Sequence, residues 1–373
     1  MKIDRYRQQP GFRPVVKPSP ATASVAFRPT VTAGVIACVS LLIGCPVIFC
    51  TAAFGQDGVD KAGRPTDSIA PPATVIPDAT EDPTVIDESS SRDADRGEAV
   101  VRQVLRRLSH GPAFNAKLRK RVWISDREVL GFGIYEQAGG GTGHYNLQVT
   151  MLDGESKHTL QQISDGRLAW TRTVIGDEVL LRRVDVRLLQ QRLREAGITT
   201  DTPPHLSVGG LTELVGSIAR DYTLTLKPGT FKLKSEHTGN LPGDEETFLV
   251  VSGSLKDEVR GRILGESGRT SWPELCPTHV QLLVAAAPDP EFDFGEGLPR
   301  RLYFFSDPLT ASPDEDPDRG TPPPDVGPLI SLIELYAIQP ITTPSANRFS
   351  FESRDRDNHY VNETQRYLSR YGL

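Results

Sequence analysis

The sequence predicts a mainly β (α+β) protein built on one antiparallel sheet of about ten strands, with few helices. Three observations carry this. Strand patterns follow one another in near-sequential order, the helical patterns between them are few, and no βαβ alternation suggests a parallel sheet. The clearest signal is His158–Asp185, which reads as three strands joined by two minimal turns. Asp165-Gly166 suits a type I′ turn and Gly176-Asp177 a type II′ turn. Between them Leu168, Trp170, Arg172 and Val174 alternate with Ala169, Thr171, Thr173 and Ile175, which gives the middle strand two distinct faces.

The first folded element is a helix over Glu98–His110. Val100, Val101, Val104, Leu105 and Leu108 recur there at helical spacing until Gly111-Pro112. Strands are expected at Phe114–Ser125, Val129–Gln137 and His144–Leu152, the last two joined by a flexible glycine loop at 139–143. In the third of these, Tyr145, Leu147, Val149 and Met151 share one face. After the meander, Val186–Ala196 and Leu211–Arg220 read as helices, the second starting at a Gly-Gly break. Strands return at Thr223–Leu226, Thr247–Leu255, Val280–Ala287, Arg300–Phe305 and Leu329–Gln339. Residues 98–373 are expected to form a single domain. Its acidic loop at about 306–327, with six prolines, is expected to be disordered.

Ahead of that domain the composition changes twice. Residues 1–30 form a basic leader with six Lys or Arg against one Asp. Residues 31–55 form an apolar, uncharged stretch, of which Val31–Phe54 is long enough to span a bilayer. It fits a cleavable signal ending at the small-x-small Ala53–Gly55, an uncleaved anchor with its basic tail inside, or a lipobox at Leu42–Cys45 with Cys45 acylated. Each route puts residues 56–373 outside the cytoplasmic membrane, periplasmic or membrane-anchored and facing the periplasm. Membrane contact through 31–54 persists if the segment stays uncleaved. Residues 56–97 read as a disordered, acidic, Pro-rich linker, with eleven acids against four bases over 56–98.

The whole chain carries a formal net charge of −6, and the basic leader makes the remainder more acidic still. That excludes nucleic acid as a main partner, which requires a positive stripe. The glycine run 139–143 lacks the Lys-Ser/Thr of a phosphate loop. The seven histidines, His144, His158 and His205 among them, show no metal-ligand spacing. No nucleophile elbow occurs. Asp314, Asp316, Asp318 and Asp325 match part of a calcium-loop template, but Arg319 stands where the template needs glycine. No catalytic residue, metal or cofactor is therefore expected, and the chain reads as a non-enzyme. The candidate ligand-binding residues are the apolar, strand-borne Tyr145, Leu147, Val149, Met151, Trp170, Phe248, Val250 and Leu282. Asp165 and Gly166 are expected to be a structural turn.

The helix Glu98–His110, the hairpins after it and the turn Ser164-Asp165-Gly166-Arg167-Leu168-Ala169-Trp170 resemble the LolA/LolB-like superfamily of lipoprotein and lipid carriers. So do the tail Arg348–Phe351, Val361–Thr364 and the short helix Gln365–Tyr371. The resemblance implies an incomplete, curved antiparallel β-barrel capped by helices, with an apolar cavity for a lipid or lipoprotein acyl chain and no catalysis. The partner it implies is a lipid or lipidated protein. The same superfamily includes RseB-like envelope sensors, which makes a protein-interaction module with a packed interior the alternative and an envelope protein its partner. The acidic 306–327 insertion and the long tether depart from typical carriers.

Overall fold

The computed structural model describes residues 88–124, 127–154, 156–200, 202–234, 245–307, 327–342, 344–352 and 359–373. The basic leader, the apolar segment 31–55, the linker up to residue 87 and the acidic stretch 308–326 with its aspartates lie outside the described residues.

Helix α1 (Glu88–His110) leads into strands β1 (Phe114–Ile124), β2 (Arg127–Gln137), β3 (His144–Asp153), β4 (Ser156–Asp165), β5 (Leu168–Ile175) and β6 (Glu178–Asp185). Three helices follow: α2 (Val186–Glu195), α3 (Pro204–Ser207) and α4 (Gly210–Asp221). Next come β7 (Tyr222–Leu226), β8 (Phe231–Lys234), β9 (Glu245–Leu255), α5 (Asp257–Ser267), β10 (His279–Ala285), β11 (Pro299–Phe305) and β12 (Leu329–Pro340). The chain closes with β13 (Val361–Asn362) and α6 (Thr364–Ser369). Helix α1 starts ten residues earlier than the apolar spacing indicates. Its first turns carry polar residues such as Asp93 and Arg96, paired one turn apart at 3.8 Å, so a hydrophobic pattern does not see them. Helix α5 escapes the sequence reading because it buries only Val259 and Ile263 and contains Gly261 and Gly265.

All strands join one sheet in the order β13-β6-β5-β4-β3-β2-β1-β12-β11-β10-β9-β7, with β8 also on β9. Every pairing is antiparallel except the short β13–β6 contact. The sheet must be strongly curled. The nine strands from β4 to β7 would span about 38 Å if flat, whereas each helix is only about 10 Å across. Yet Leu160 on β4 and Leu224 on β7 belong to one core cluster, with Val101, Val104 and Leu108 of α1 and Leu211, Leu214, Val215 and Ile218 of α4. The described residues thus form an open, curled antiparallel sheet with α1 and α4 on its concave face, the fold class the sequence predicts.

Glycines in β2 help the curl. Gly131 and Gly133 fall on the concave face, since their partners Met151 and Val149 are core residues. A Cβ on Gly131 would come 2.2 Å from the flexible Met151 Sδ; one on Gly133 would come 2.0 Å from the Gln148 backbone oxygen. Gly133→Ala is therefore expected to destabilise the protein by about 1–3 kcal/mol through overpacking against rigid backbone. Gly131→Ala should cost less. Urea midpoints check this, and equal midpoints for the two variants would refute it.

A second cluster seals the β5–β6 end. Ala169 and Val184 meet Val186, Leu189 and Leu193 of α2, and Tyr367 and Leu368 of α6. Asp185 caps α2 by accepting from Leu188 N at 2.9 Å.

Candidate functional site

The candidate site is the concave face of the sheet. Cross-strand register decides which side chains share it. Tyr145, Leu147, Val149 and Met151 stand opposite Ser164, Gln162, Leu160 and His158. All four are at most 6 % exposed and belong to the main core. Leu282 joins them from β10, fully buried. Five of the eight apolar residues singled out from sequence therefore line one surface.

The other three face away, and their grouping with Tyr145 is corrected. Trp170 pairs with Ile163 and Arg183, on the alternate positions of β4 and β6. There it stacks on Phe351 at 5.0 Å and meets Tyr360 edge-on at 5.4 Å, while Arg183 lies 4.2 Å over the Tyr360 ring. Trp170 anchors the C-terminal segment to the outer face. Phe248 and Val250 cluster with Leu283 and Tyr303, whereas their neighbour Val251 enters the core. Period-2 alternation separates two faces without saying which is inward, and here both are covered.

The turn expected at Asp165-Gly166 moves by one residue. Strand β4 runs through Asp165, and Gly166-Arg167 form the loop, with Gly166 at φ +73° and Arg167 not at positive φ. That is the type II′ pattern. Asp165 Oδ1 accepts from Arg167 N at 2.9 Å and Leu168 N at 2.7 Å, so its carboxylate braces the turn. Gly176-Asp177 is type II′, as expected, with Gly176 at φ +57° and Ile175 opposite Glu178. A groove of 640 Å³ lies on the surface beside the first turn, between Arg167 and the α2 residues Arg187 and Gln191.

The helices are fixed at the Tyr145 end of the concave face. Gln137 Nε2 donates to the Leu108 carbonyl at the end of α1, and its Oε1 accepts from Tyr135 Oη at 2.7 Å. Gly210 N, at the start of α4, donates to Gln162 Oε1 at 3.1 Å. Gly209 and Gly210 sit at φ +77° and +65° with the Tyr145 ring packed against them; a Cβ on Gly209 would fall 1.7 Å from the Tyr145 oxygen. From that end α4 leads directly into β7, and Gly97, midway along α1, lies against Leu224 and Thr225. Both helices therefore cross the sheet obliquely.

Glu213 organises the junction and was not singled out from sequence. Its side chain is 3 % exposed. It accepts from Gly209 N at 2.6 Å, from Tyr367 Oη at 2.8 Å and from Arg370 Nη1 at 2.9 Å. Burial raises the pKa of Tyr145 and Tyr367 well above the ordinary phenol value, and the Glu213 charge adds to both shifts. Burial likewise raises that of Tyr135. The only sequence signal for Glu213 is an acid in the first turn of an otherwise apolar helix, which reads equally as a favourable dipole contact.

Polar groups at other concave positions are few. Lys120 occupies a core-facing position of β1, fully buried. His158 is 5 % exposed, and among the described residues neither ring nitrogen has a hydrogen-bond partner. Among the described residues, no group of three His, Cys, Asp or Glu side chains is placed to hold a metal ion. No described helix is long and apolar enough to cross a membrane.

No protein-family model matches the chain, and no curated protein matches it. Among solved structures, the chain is similar to a chain of the Pseudomonas aeruginosa MucA/MucB complex, at 10% identity and a TM-score of 0.32, over 69% of this chain and 61% of that one. It is also similar to a LolA superfamily protein from Nitrosomonas europaea, at 13% identity and a TM-score of 0.26, over 68% of this chain and 97% of that one. LprF from Mycobacterium bovis is a further such structure, at 11% identity and a TM-score of 0.28, over 68% and 97%. This chain spans about three fifths of the MucA/MucB chain it matches.

Proposed function

We propose that this protein is a non-catalytic, exported binding protein that holds a lipid or lipoprotein acyl chain on the concave face of its sheet. One observation carries the reading: a single apolar core runs from β4 round to β7, and among the described residues the long helices on it, α1 and α4, are tied down at the Tyr145 end. Apolar surface of this kind binds an acyl chain without specific polar contacts, at about 0.8 kcal/mol per buried CH₂. Tyr145, Leu147, Val149, Met151 and Leu282 are the lining residues the proposal uses; Trp170, Phe248 and Val250 face outward and take no part.

The alternative is an envelope sensor or interaction module whose interior is simply packed. Phe132, Ile134 and Leu152, exposed at 46, 49 and 53 % on the outer face of β2 and β3, favour it. One experiment separates the two. Protein purified from its own envelope is expected to carry lipid into native mass spectrometry and to take up a fluorescent fatty acid saturably. Absence of both would sink the acyl-chain reading and leave the interaction module.

A further inference from the structure

We infer that the end of the concave face away from the helix anchors holds a polar headgroup, and that the ligand is an acyl chain ending in a carboxylate. The inference rests on the acyl-binding reading above and deepens it.

His158 carries the argument. It stands opposite Met151 in the β3–β4 register, and Met151 is 2 % exposed within the main core. Two residues along β4, Leu160 is 1 % exposed in the same core. His158 therefore points from the concave face, among apolar side chains. It lies six residues along β4 from Ser164, which pairs with Tyr145 where the helices are fixed; at the rise of a strand that is about 20 Å.

An imidazole has a donor and an acceptor, or two donors when protonated. Leaving such groups buried without partners is costly, and native proteins rarely do so. Leucine at this position would complete the apolar surface at no such cost. A histidine whose two nitrogens have no partner in the described protein is therefore explained by a ligand that supplies one. The same cross-strand row contains a basic side chain, running from Lys120 through Gly131 and Met151 to His158. A hydrogen-bonding imidazole at the end of an apolar surface suits a hydrogen-bond-accepting head such as a carboxylate.

The test compares a polyene fatty acid, cis-parinaric acid, with its methyl ester, by fluorescence titration of the full chain. A hydrogen bond to a carboxylate is worth about 1.5–3 kcal/mol, so the wild type should bind the acid at least about tenfold more tightly than the ester. His158→Leu should abolish that preference while leaving ester affinity within about twofold; His158→Gln, which keeps a donor, should retain part of it. The leucine variant removes an unpaired polar group and should fold at least as stably, which urea denaturation checks. If the wild type binds acid and ester equally, or His158→Leu keeps the preference, the headgroup site is refuted while acyl binding stands. If neither probe binds the wild type, the acyl-binding reading itself fails.

Discussion

Glu213→Ala is expected to destabilise the protein by about 3–5 kcal/mol, because it strips the shared acceptor from a buried polar junction. Three donors converge on this carboxylate: the Gly209 amide, the Tyr367 hydroxyl and the Arg370 guanidinium. Arg370 also lies 4.0 Å over the Tyr367 ring, so the pair is held in a single geometry. Removing the carboxylate takes an acceptor away from a cation 19 % exposed and a phenol 8 % exposed. The loss should also release α6, because Glu213 is the polar tie between α4 and the C-terminal helix, whose apolar contacts are with the α2 cluster. Urea denaturation gives the stability change, and limited proteolysis should cut first within 359–373. Glu213→Gln keeps an acceptor for Gly209 and Tyr367 but loses the charge facing Arg370, so it should fall between the wild type and alanine. A Glu213→Ala protein as stable as the wild type would show that the junction does not hold α6 in place.

The sheet was legible from the sequence because its signals are local. The alternation in His144–Leu152 and the Gly176-Asp177 turn depend only on neighbouring residues, and both reappear in the structure with the expected side-chain grouping. What escaped depends on long-range contact. Trp170 and Phe248 sit in strands that are apolar on both faces, and only the C-terminal segment over Trp170 and the cluster of Phe248 with Leu283 and Tyr303 show which face is outer. Glu213 and Tyr367 are 154 residues apart, so no spacing in the chain announces their hydrogen bond. His158 entered the sequence reading only as one of seven histidines without metal-ligand spacing. The inference that its face is inward needs the register. Asp165 shows the limit of turn chemistry: Asp-Gly was recognised as a turn, but the carboxylate braces it from the strand end while Gly166 takes the positive φ.

Raising the pH above about 10 is expected to unfold the protein steeply, because three phenols are held protonated in the folded state. Tyr135, Tyr145 and Tyr367 are all buried, and burial is the first cause of each raised pKa; the Glu213 charge reinforces the shift in Tyr145 and Tyr367. The unfolded chain releases these protons near the ordinary value of 10.0. Between that pH and the folded pKa the native state binds more protons than the unfolded state, so stability falls as pH rises. Below pH 10 both states are protonated and the three contribute no slope. Each tyrosine adds about 1.4 kcal/mol per pH unit, so together they should give about 4 kcal/mol per unit in that window. The measurement is the urea unfolding free energy from pH 8 to 11.5. Tyr367→Phe should lose stability at neutral pH, where it forfeits the bond to Glu213, yet show about two thirds of the wild-type alkaline slope. Exposed lysines titrate alike in both proteins and cancel in the difference between the two slopes. The three phenols stand where α1, α4 and α6 meet the sheet. Tyr135 reaches the α1 end through Gln137, Tyr145 donates to the Val208 carbonyl at 3.0 Å just before α4, and Tyr367 holds α6. An alkaline slope no greater than that of one tyrosine would mean that at least two of these contacts are open to water, and that the helices are not fixed on the sheet as described.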